Sequence, residues 1–338
     1  MIPHNRLSIS ALEKKAAVDV LETGYLSQGD QVSSFENELC DFLNIDRGHA
    51  VAVSSGSAAL FFAIMALSDI YGCNSVTIPA YSCSALRNAV LLADKEVHYA
   101  DVEANTPNID LQSDEISKSE ATIVCHMYGM PSKISGDMII EDCAQALGAS
   151  IDGVRVGTQS LISTFSFYAT KLITTGGEGG AIVSKDKSII DFLKDYRKFD
   201  MIIDDKRRFN FHMTELQAAI GRVQLSRFPD LMKRRRELAD RYLDNGIKLW
   251  RKQGGVDYRG LVFSCDHYRL IDYLNEKNVG SICPITSEEL LCDKEKVPNA
   301  YELTQTLVSI PLYPTLEFEE QDYIIKVLKD YISIRGRL

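Results

Sequence analysis

Three short segments combine residue types that could do chemistry together. The first is Ser54-Ser55-Gly56-Ser57-Ala58-Ala59-Leu60, where an apolar stretch ends in small hydroxyl residues and a glycine. A helical pattern follows at once. Such a turn presents unpaired backbone N–H groups at a helix N-terminus, and these with the helix dipole can hold a phosphate. The same residues also suit an ordinary serine-capped turn. The second segment, Glu141-Asp142-Cys143-Ala144-Gln145-Ala146, follows the apolar Met138-Ile139-Ile140. A buried strand there puts Asp142 at its carboxyl end, the edge at which open α/β sheets take ligands. A carboxylate at that edge can keep a ring nitrogen protonated and make a pyridine a better electron sink. It can equally cap the next helix. The third segment is Phe165-Ser166-Phe167-Tyr168-Ala169-Thr170-Lys171, followed by Thr174-Thr175-Gly176-Gly177-Glu178-Gly179-Gly180. Lysine ordinarily points to water. Between an apolar strand and glycines that allow close approach it becomes a confined amine, a usable nucleophile toward an aldehyde. Ser166, five residues earlier, can donate to a phosphate. Together the three segments offer the contacts that pyridoxal 5′-phosphate (PLP) requires: an amine for its aldehyde, an acid for its ring nitrogen and donors for its phosphate.

The elements that must position these groups are legible as a pattern. Candidate strands are Ala50–Ser54, Ser75–Pro79, Glu96–Asp101, Thr122–Tyr128, Met138–Glu141, Ile162–Phe167 and Ala181–Ser184. Several are continuous apolar runs, as expected of strands covered on both faces. Helix-length stretches such as Ser57–Leu67 and Ser82–Leu92 lie between them. The expectation is an α/β fold with a largely parallel central sheet wrapped by helices. Thr214 and Gln217 have capping-box spacing, and Leu216, Ile220 and Val223 share a helical face. Pro229 should break or restart that helix. The basic run Lys233-Arg234-Arg235-Arg236 reads as a solvated helix face. After Gly246 come a turn at Gly254-Gly255, a strand at Gly260–Ser264, a helix at His267–Lys277 and a closing helix at Phe318–Tyr331. These suggest a larger domain over 1–245 and a smaller C-terminal α+β domain over 246–338, which suits a chain of 338 residues.

Bulk composition excludes several classes. The formal net charge of −10 has the wrong sign for a general nucleic-acid binder. No apolar run reaches the ~18–20 residues that span a bilayer. The start Met1-Ile2-Pro3-His4-Asn5-Arg6 lacks the basic-then-apolar order of a secretion signal, so a cytoplasmic protein is expected. Eight cysteines occur singly with no CxxC pair, which fits free thiols in a reducing compartment and offers no metal site.

With these motifs in place, the chain resembles the DegT family of PLP-dependent nucleotide-sugar aminotransferases. The resemblance runs from Gly24-Tyr25-Leu26-Ser27-Gln28-Gly29 through SSGSAAL (Ser54 to Leu60), PAYSCSALRNAV (Pro79 to Val90), EDCAQALGA (Glu141 to Ala149) and FSFYATK (Phe165 to Lys171). It continues through FNFHMTELQAAIG (Phe209 to Gly221) to IPLYP (Ile310 to Pro314). It implies the PLP-dependent transferase fold type I and a homodimer with active sites at the subunit interface. It also implies transfer of an amino group from an amino acid, with L-glutamate as the expected donor, to a keto-sugar nucleotide for amino-sugar and surface-polysaccharide synthesis. Residue by residue, Lys171 matches the Schiff-base lysine, Asp142 the partner of the pyridine nitrogen and Gln145 a neighbour of the ring. Gly56, Ser57 and Ser166 match phosphate ligands, and Asn210 an asparagine that reaches the neighbouring subunit's cofactor. Tyr25 matches a position near the sugar. His126, in Val124-Cys125-His126-Met127-Tyr128-Gly129, reads as a structural histidine or a pocket residue.

Four departures bear on the substrate. Cys83 stands where an aromatic often stacks on the ring, leaving Tyr81 or another group to cover that face. His212 stands where arginine is common, the turn after Thr175 carries an extra glycine, and the chain is short for the family. Two other readings stay open: a regulatory protein that binds PLP or a sugar nucleotide without turnover, and a PLP-dependent sugar dehydratase. Relatives of the latter kind replace the lysine with histidine, which Lys171 argues against.

Overall fold

The computed structural model describes residues 1–335; the last three positions of the expected C-terminal domain, 336–338, lie outside it. Seven strands form the central sheet: β1 (Ala50–Val53), β2 (Ser75–Pro79), β3 (Glu96–Ala100), β4 (Ala121–Cys125), β5 (Ile139–Asp142), β8 (Ile162–Ser166) and β9 (Gly180–Val183), with β6 (Ser150–Ile151) and β7 (Val154–Arg155) pairing apart as a short hairpin. Each of the seven sheet strands overlaps one of the expected runs, although the run expected to reach Tyr128 ends at Cys125, before a 3₁₀ turn over Met127–Gly129; the β6–β7 hairpin was not expected. The spatial order is β1-β9-β8-β5-β4-β2-β3. All neighbours run parallel except β9, which is antiparallel to both β1 and β8. Apolar content does not encode direction, so the pattern that found β9 could not show its reversal.

That reversal positions the site. The carboxyl ends of β1, β8, β5 and β4 and the start of β9 all meet at one edge of the sheet. Val53 and Ser166 both lie opposite Gly180, Asp142 lies opposite Thr164, and Cys125 opposite Asp142. The helices packed around the sheet begin with α1 (Ala11–Thr23) and α2 (Asp30–Leu43). The former starts at a capping box, Ser10 with Glu13. Next come α3 (Gly56–Tyr71), α4 (Ala85–Leu92) and α5 (Lys187–Arg197). In α3 nine of sixteen residues, spread round the helix from Ala58 to Leu67, are buried, the mark of a core helix. Then α6 (Glu215–Ser226) begins at the expected Thr214–Gln217 capping box, and α7 (Phe228–Asp244) restarts with Pro229 in its first turn.

One expectation fails on α7. The basic run is not a solvated face throughout: Lys233 and Arg236 are exposed, but Arg235 is only 4% exposed. Helical periodicity puts it in line with Leu231, Leu238 and Tyr242, so it enters the interior. Its Nη1 there donates to the carbonyls of Asp257, Tyr258 and Leu312.

The C-terminal part holds the two-stranded pair β10 (Gly260–Phe263) and β11 (Leu307–Ile310), with α8 (His267–Glu276), α9 (Pro298–Thr306) and α10 (Phe318–Arg335). A second apolar cluster joins Leu238, Ala239 and Tyr242 of α7 to Val262, Leu274, Val308 and Leu328. The first residues of the chain return to this part: Ile2 bridges Val279, and His4 bonds Ser309 at 2.8 Å. Among the described residues no helix is long and apolar enough to cross a membrane.

Candidate active site

At the shared edge of the sheet lies a cavity of about 270 Å³, lined among others by Gly56, Ser57, Asp142, Gln145, Ser166 and Lys171. Segments separated by more than a hundred residues therefore share one space. The turn from β1 into α3 forms one wall. Ser55 caps the helix, its hydroxyl accepting from the Ala58 N–H at 3.1 Å. The N–H groups of Gly56 and Ser57 precede the first helical hydrogen bond and have no intrahelical partner. Gly56 is required by space: a Cβ there would lie 2.7 Å from the Ser166 Cβ. Backbone and Ser166 thus converge as a cradle of donors, which is what a phosphate needs.

Asp142 closes β5 and faces the same cavity. Its Oδ1 accepts from the Ala144 N–H at 2.9 Å, and its Oδ2 lies 3.7 Å from the Cys125 thiol. Burial pushes its carboxyl above the usual aspartate value, although the Ala144 N–H and the charge of Lys171 act the other way. A cationic ring nitrogen placed against it would supply the missing counter-charge. Beside it the Thr164 hydroxyl is buried without a hydrogen-bond partner among the described residues. An unpaired buried hydroxyl on a cavity wall is what a site shaped for a polar group leaves behind.

Lys171 follows β8 on a turn in which its own N–H donates to the Tyr168 carbonyl at 2.9 Å. The glycine-rich stretch folds back against this turn. Phe167 donates to Gly179, Ala169 donates to Gly177, and Gly176 and Gly177 adopt φ of 90° and 140°. The left-handed backbone at these two positions explains the paired glycines. On the far side of the amine stands Tyr258, its ring centroid 6.0 Å from the Lys171 Nζ.

The remaining expected residues are placed differently. The side chain of Gln145 lines the cavity while accepting from the Tyr128 N–H at 2.8 Å. Cys83 also lines it and is exposed. Tyr81 does not: it is fully buried, and its hydroxyl accepts from Tyr128 at 2.9 Å. The His126 imidazole is fully enclosed, with Nδ1 accepting from the Ser132 N–H and Nε2 donating to Glu141 at 2.9 Å. Burial alone would raise the Glu141 carboxyl, but His126 and the Gly157 and Gln159 N–H groups hold it below its ordinary value. Cys143 lies close to this pair. Both imidazole nitrogens are engaged, so the ring ties the end of β4 to β5, and His126 also borders the cavity. Tyr25 is 60% exposed; its hydroxyl donates to the Gln28 carbonyl at 3.3 Å and its N–H to the Thr23 hydroxyl at 3.1 Å. Asn210 is exposed on the loop before α6, its Oδ1 accepting from the His212 N–H, and does not border the cavity of its own chain. Residues to which the sequence assigned no role include Thr164, Tyr168 and Glu178 in the wall, and Tyr258 beside the lysine.

Comparison with known proteins bears on the family and the fold. The family model described as "DegT/DnrJ/EryC1/StrS aminotransferase family" matches residues 8–248. A GDP-perosamine synthase of Escherichia coli O157:H7 is 28% identical over 98% of this chain and 99% of its own length. One from Vibrio cholerae is 34% identical over 72% of this chain and 70% of its own. Among solved structures, the putative sugar aminotransferase Spr1654 of Streptococcus pneumoniae in its PLP form superposes with a TM-score of 0.83, at 22% identity, over 96% of this chain and 97% of that one.

Proposed function

The chain belongs to the DegT/DnrJ/EryC1/StrS aminotransferase family, and from that premise we propose that it moves an amino group from L-glutamate to the keto carbon of a sugar nucleotide, using PLP held at Lys171. The observation that carries this reading is the convergence of Lys171, Asp142 and the Gly56–Ser57–Ser166 cradle on one cavity. The donor set fits the cofactor. Gly56, Ser57 and Ser166 would take its phosphate, Asp142 its ring nitrogen and Gln145 the ring, while Thr164 would offer a spare hydroxyl. When bound, PLP supplies the electron sink that lets a proton leave the donor's α-carbon.

The protein's own groups do the rest. The Lys171 Nζ, set on a turn braced by the glycine-rich stretch, accepts that proton and returns one, a short transfer between fixed positions. Asp142 would keep a proton on the ring nitrogen. Gly56, Ser57 and Ser166 would fix the cofactor's phosphate and so its position relative to the Lys171 amine. Two chains complete each site in this proposal. The loop before Asn210 carries the almost wholly exposed Met201 and Ile203, and Leu12, Val18, Leu21 and Leu26 are exposed near the start of the chain. Apolar groups so displayed are suited to a face covered by a second copy.

The test is spectroscopic and chemical. The purified, PLP-loaded protein should change its visible absorption on addition of L-glutamate. Borohydride reduction followed by peptide mapping should leave the pyridoxyl label on Lys171. A label on another lysine overturns the mechanism, and a loaded protein inert to every amino acid favours a binding role without turnover. Because two relatives are GDP-perosamine synthases, GDP-linked keto-sugars are the first acceptors to screen by mass spectrometry.

A further inference from the structure

Asp142 has a neighbour on each side at the edge of the sheet. Cys125 of β4, Asp142 of β5 and Thr164 of β8 stand in register across three parallel strands. Side chains paired in this way project to the same face, and all three residues border the cavity. All three are buried. The carboxylate is therefore flanked by a thiol on one side and a hydroxyl on the other.

The two neighbours are used differently. The Cys125 Sγ lies 3.7 Å from the Asp142 Oδ2, a hydrogen-bond separation for the larger sulfur atom, while Oδ1 accepts from the Ala144 N–H at 2.9 Å. The Thr164 hydroxyl has no partner among the described residues. Each carboxylate oxygen is thus held by one donor, and the two donors come from different segments. Turning the group breaks one bond or the other. Burial and the adjacent carboxylate push the Cys125 thiol well above its ordinary value, so it keeps its proton and is the donor in this pair. Burial raises the Asp142 carboxyl as well, against the Ala144 N–H, the charge of Lys171 and the thiol. Lys171 faces it from the turn after β8. His126, beside Cys125, has its ring nitrogens engaged by Ser132 and Glu141, and Glu141 and Cys143 adjoin Asp142 on its own segment. A thiol is a weak donor. A stronger one would satisfy Oδ2 and leave the carboxylate less able to take a proton.

We propose that Cys125 is a positioning residue for amino transfer: its thiol fixes the direction of the Asp142 carboxylate toward the cofactor's ring nitrogen and, as a weak donor, leaves that carboxylate free to hold the ring's proton. This rests on the amino-transfer reading above.

The first measurement needs neither cofactor nor donor. Carbon-13 NMR of the cofactor-free protein, labelled at its aspartate carboxyls, follows the Asp142 titration, and Asp142→Asn assigns the signal. Cys125→Ser puts a stronger donor beside Oδ2 and should move the midpoint to lower pH by about half a pH unit or more. Cys125→Val removes the donor and should move it up by about as much. A thiol that only fills space would leave the midpoint in place or move it the same way in both variants, and either result overturns the proposal. Absorbance titration with PLP then reads the positioning. Cys125→Val should weaken PLP binding at least about threefold, because the carboxylate is no longer aimed. Cys125→Ser can still aim it and should stay within about twofold of wild type. Unchanged affinity in the valine variant, or an equal loss in the serine variant, overturns the positioning role; if the valine variant does not fold, the serine midpoint decides. A wild-type protein that reacts with no amino acid would retire the amino-transfer reading while leaving the thiol's hold on Asp142 standing. An active enzyme whose Asp142 midpoint ignores Cys125 overturns this proposal alone.

Discussion

Asp142 holds opposite consequences for stability and for catalysis, and both can be measured. Burial raises its carboxyl above the ordinary aspartate value. The folded, cofactor-free protein thus binds that proton more tightly than the unfolded chain does. Its stability must fall as pH rises from the ordinary carboxylate range through the raised value, and the full cost remains above it. Asp142→Asn removes this titration while keeping an oxygen for the Ala144 N–H. The cofactor-free variant should therefore melt about 1–4 °C higher than wild type at neutral pH, with the difference closing in acid. Turnover should move the other way and fall about 10²–10⁴-fold, since a neutral amide cannot hold a ring nitrogen protonated. Calorimetry of the cofactor-free protein and steady-state rates of the loaded one check the two halves. A variant with near wild-type turnover would remove Asp142 from this role.

At the scale of elements, the site depends on how closely the β1–α3 turn meets the end of β8. Gly56→Ala would put a methyl group 2.7 Å from the Ser166 Cβ and 3.3 Å from its Cα. Either β8 moves or the turn opens, and overpacking of this sort costs about 1–3 kcal/mol. Because Ser166 belongs to the proposed phosphate cradle, PLP affinity should drop about tenfold or more, a decade for each ~1.4 kcal/mol. Absorbance titration with PLP beside thermal unfolding measures both effects. Loss of stability with unchanged PLP affinity would show that the contact is structural alone. The opposite wall is held by a different device: the Thr174 hydroxyl accepts from the N–H groups of Gly176 and Gly177, so the extra glycine is absorbed into a tight turn. Gly179 is held as closely, since a Cβ there would fall 2.1 Å from the Thr175 hydroxyl.

For the whole molecule the decisive question is whether each site draws on two chains. Asn210 does not border the cavity of its own chain and sits on an exposed loop. If it serves the cofactor of a second copy, Lys171→Ala and Asn210→Ala proteins, each nearly inactive, should complement when their subunits exchange. A mixed dimer then has one site with both defects and one with neither. Random exchange makes about half the dimers mixed, so activity should recover to roughly a quarter of wild type. No recovery after proven exchange would place Asn210 and Lys171 in the same chain's site.

What the sequence determined by itself is everything whose signal is local. Short apolar segments, several of them continuous, marked all seven strands of the sheet, the Thr214–Gln217 spacing marked the start of α6, and small residues, an acid and a lysine at strand ends marked the walls of the cavity. The Ser10–Glu13 capping box of α1 was equally local and could have been read. Tertiary structure alone decided the rest, because proximity between distant segments leaves no trace in either one. Tyr258 lies 87 positions after Lys171 in the sequence, yet its ring is the amine's neighbour. Arg235 looked like one charge in a solvated run until the helix turned it inward onto three carbonyls. Tyr81 adjoins segments that line the cavity but is packed behind it, since only the path of the backbone after β2 decides which way that side chain faces. The direction of β9 was also fixed by how its neighbours pair, and that direction brings the glycine-rich turn to the edge where Asp142 and Lys171 meet.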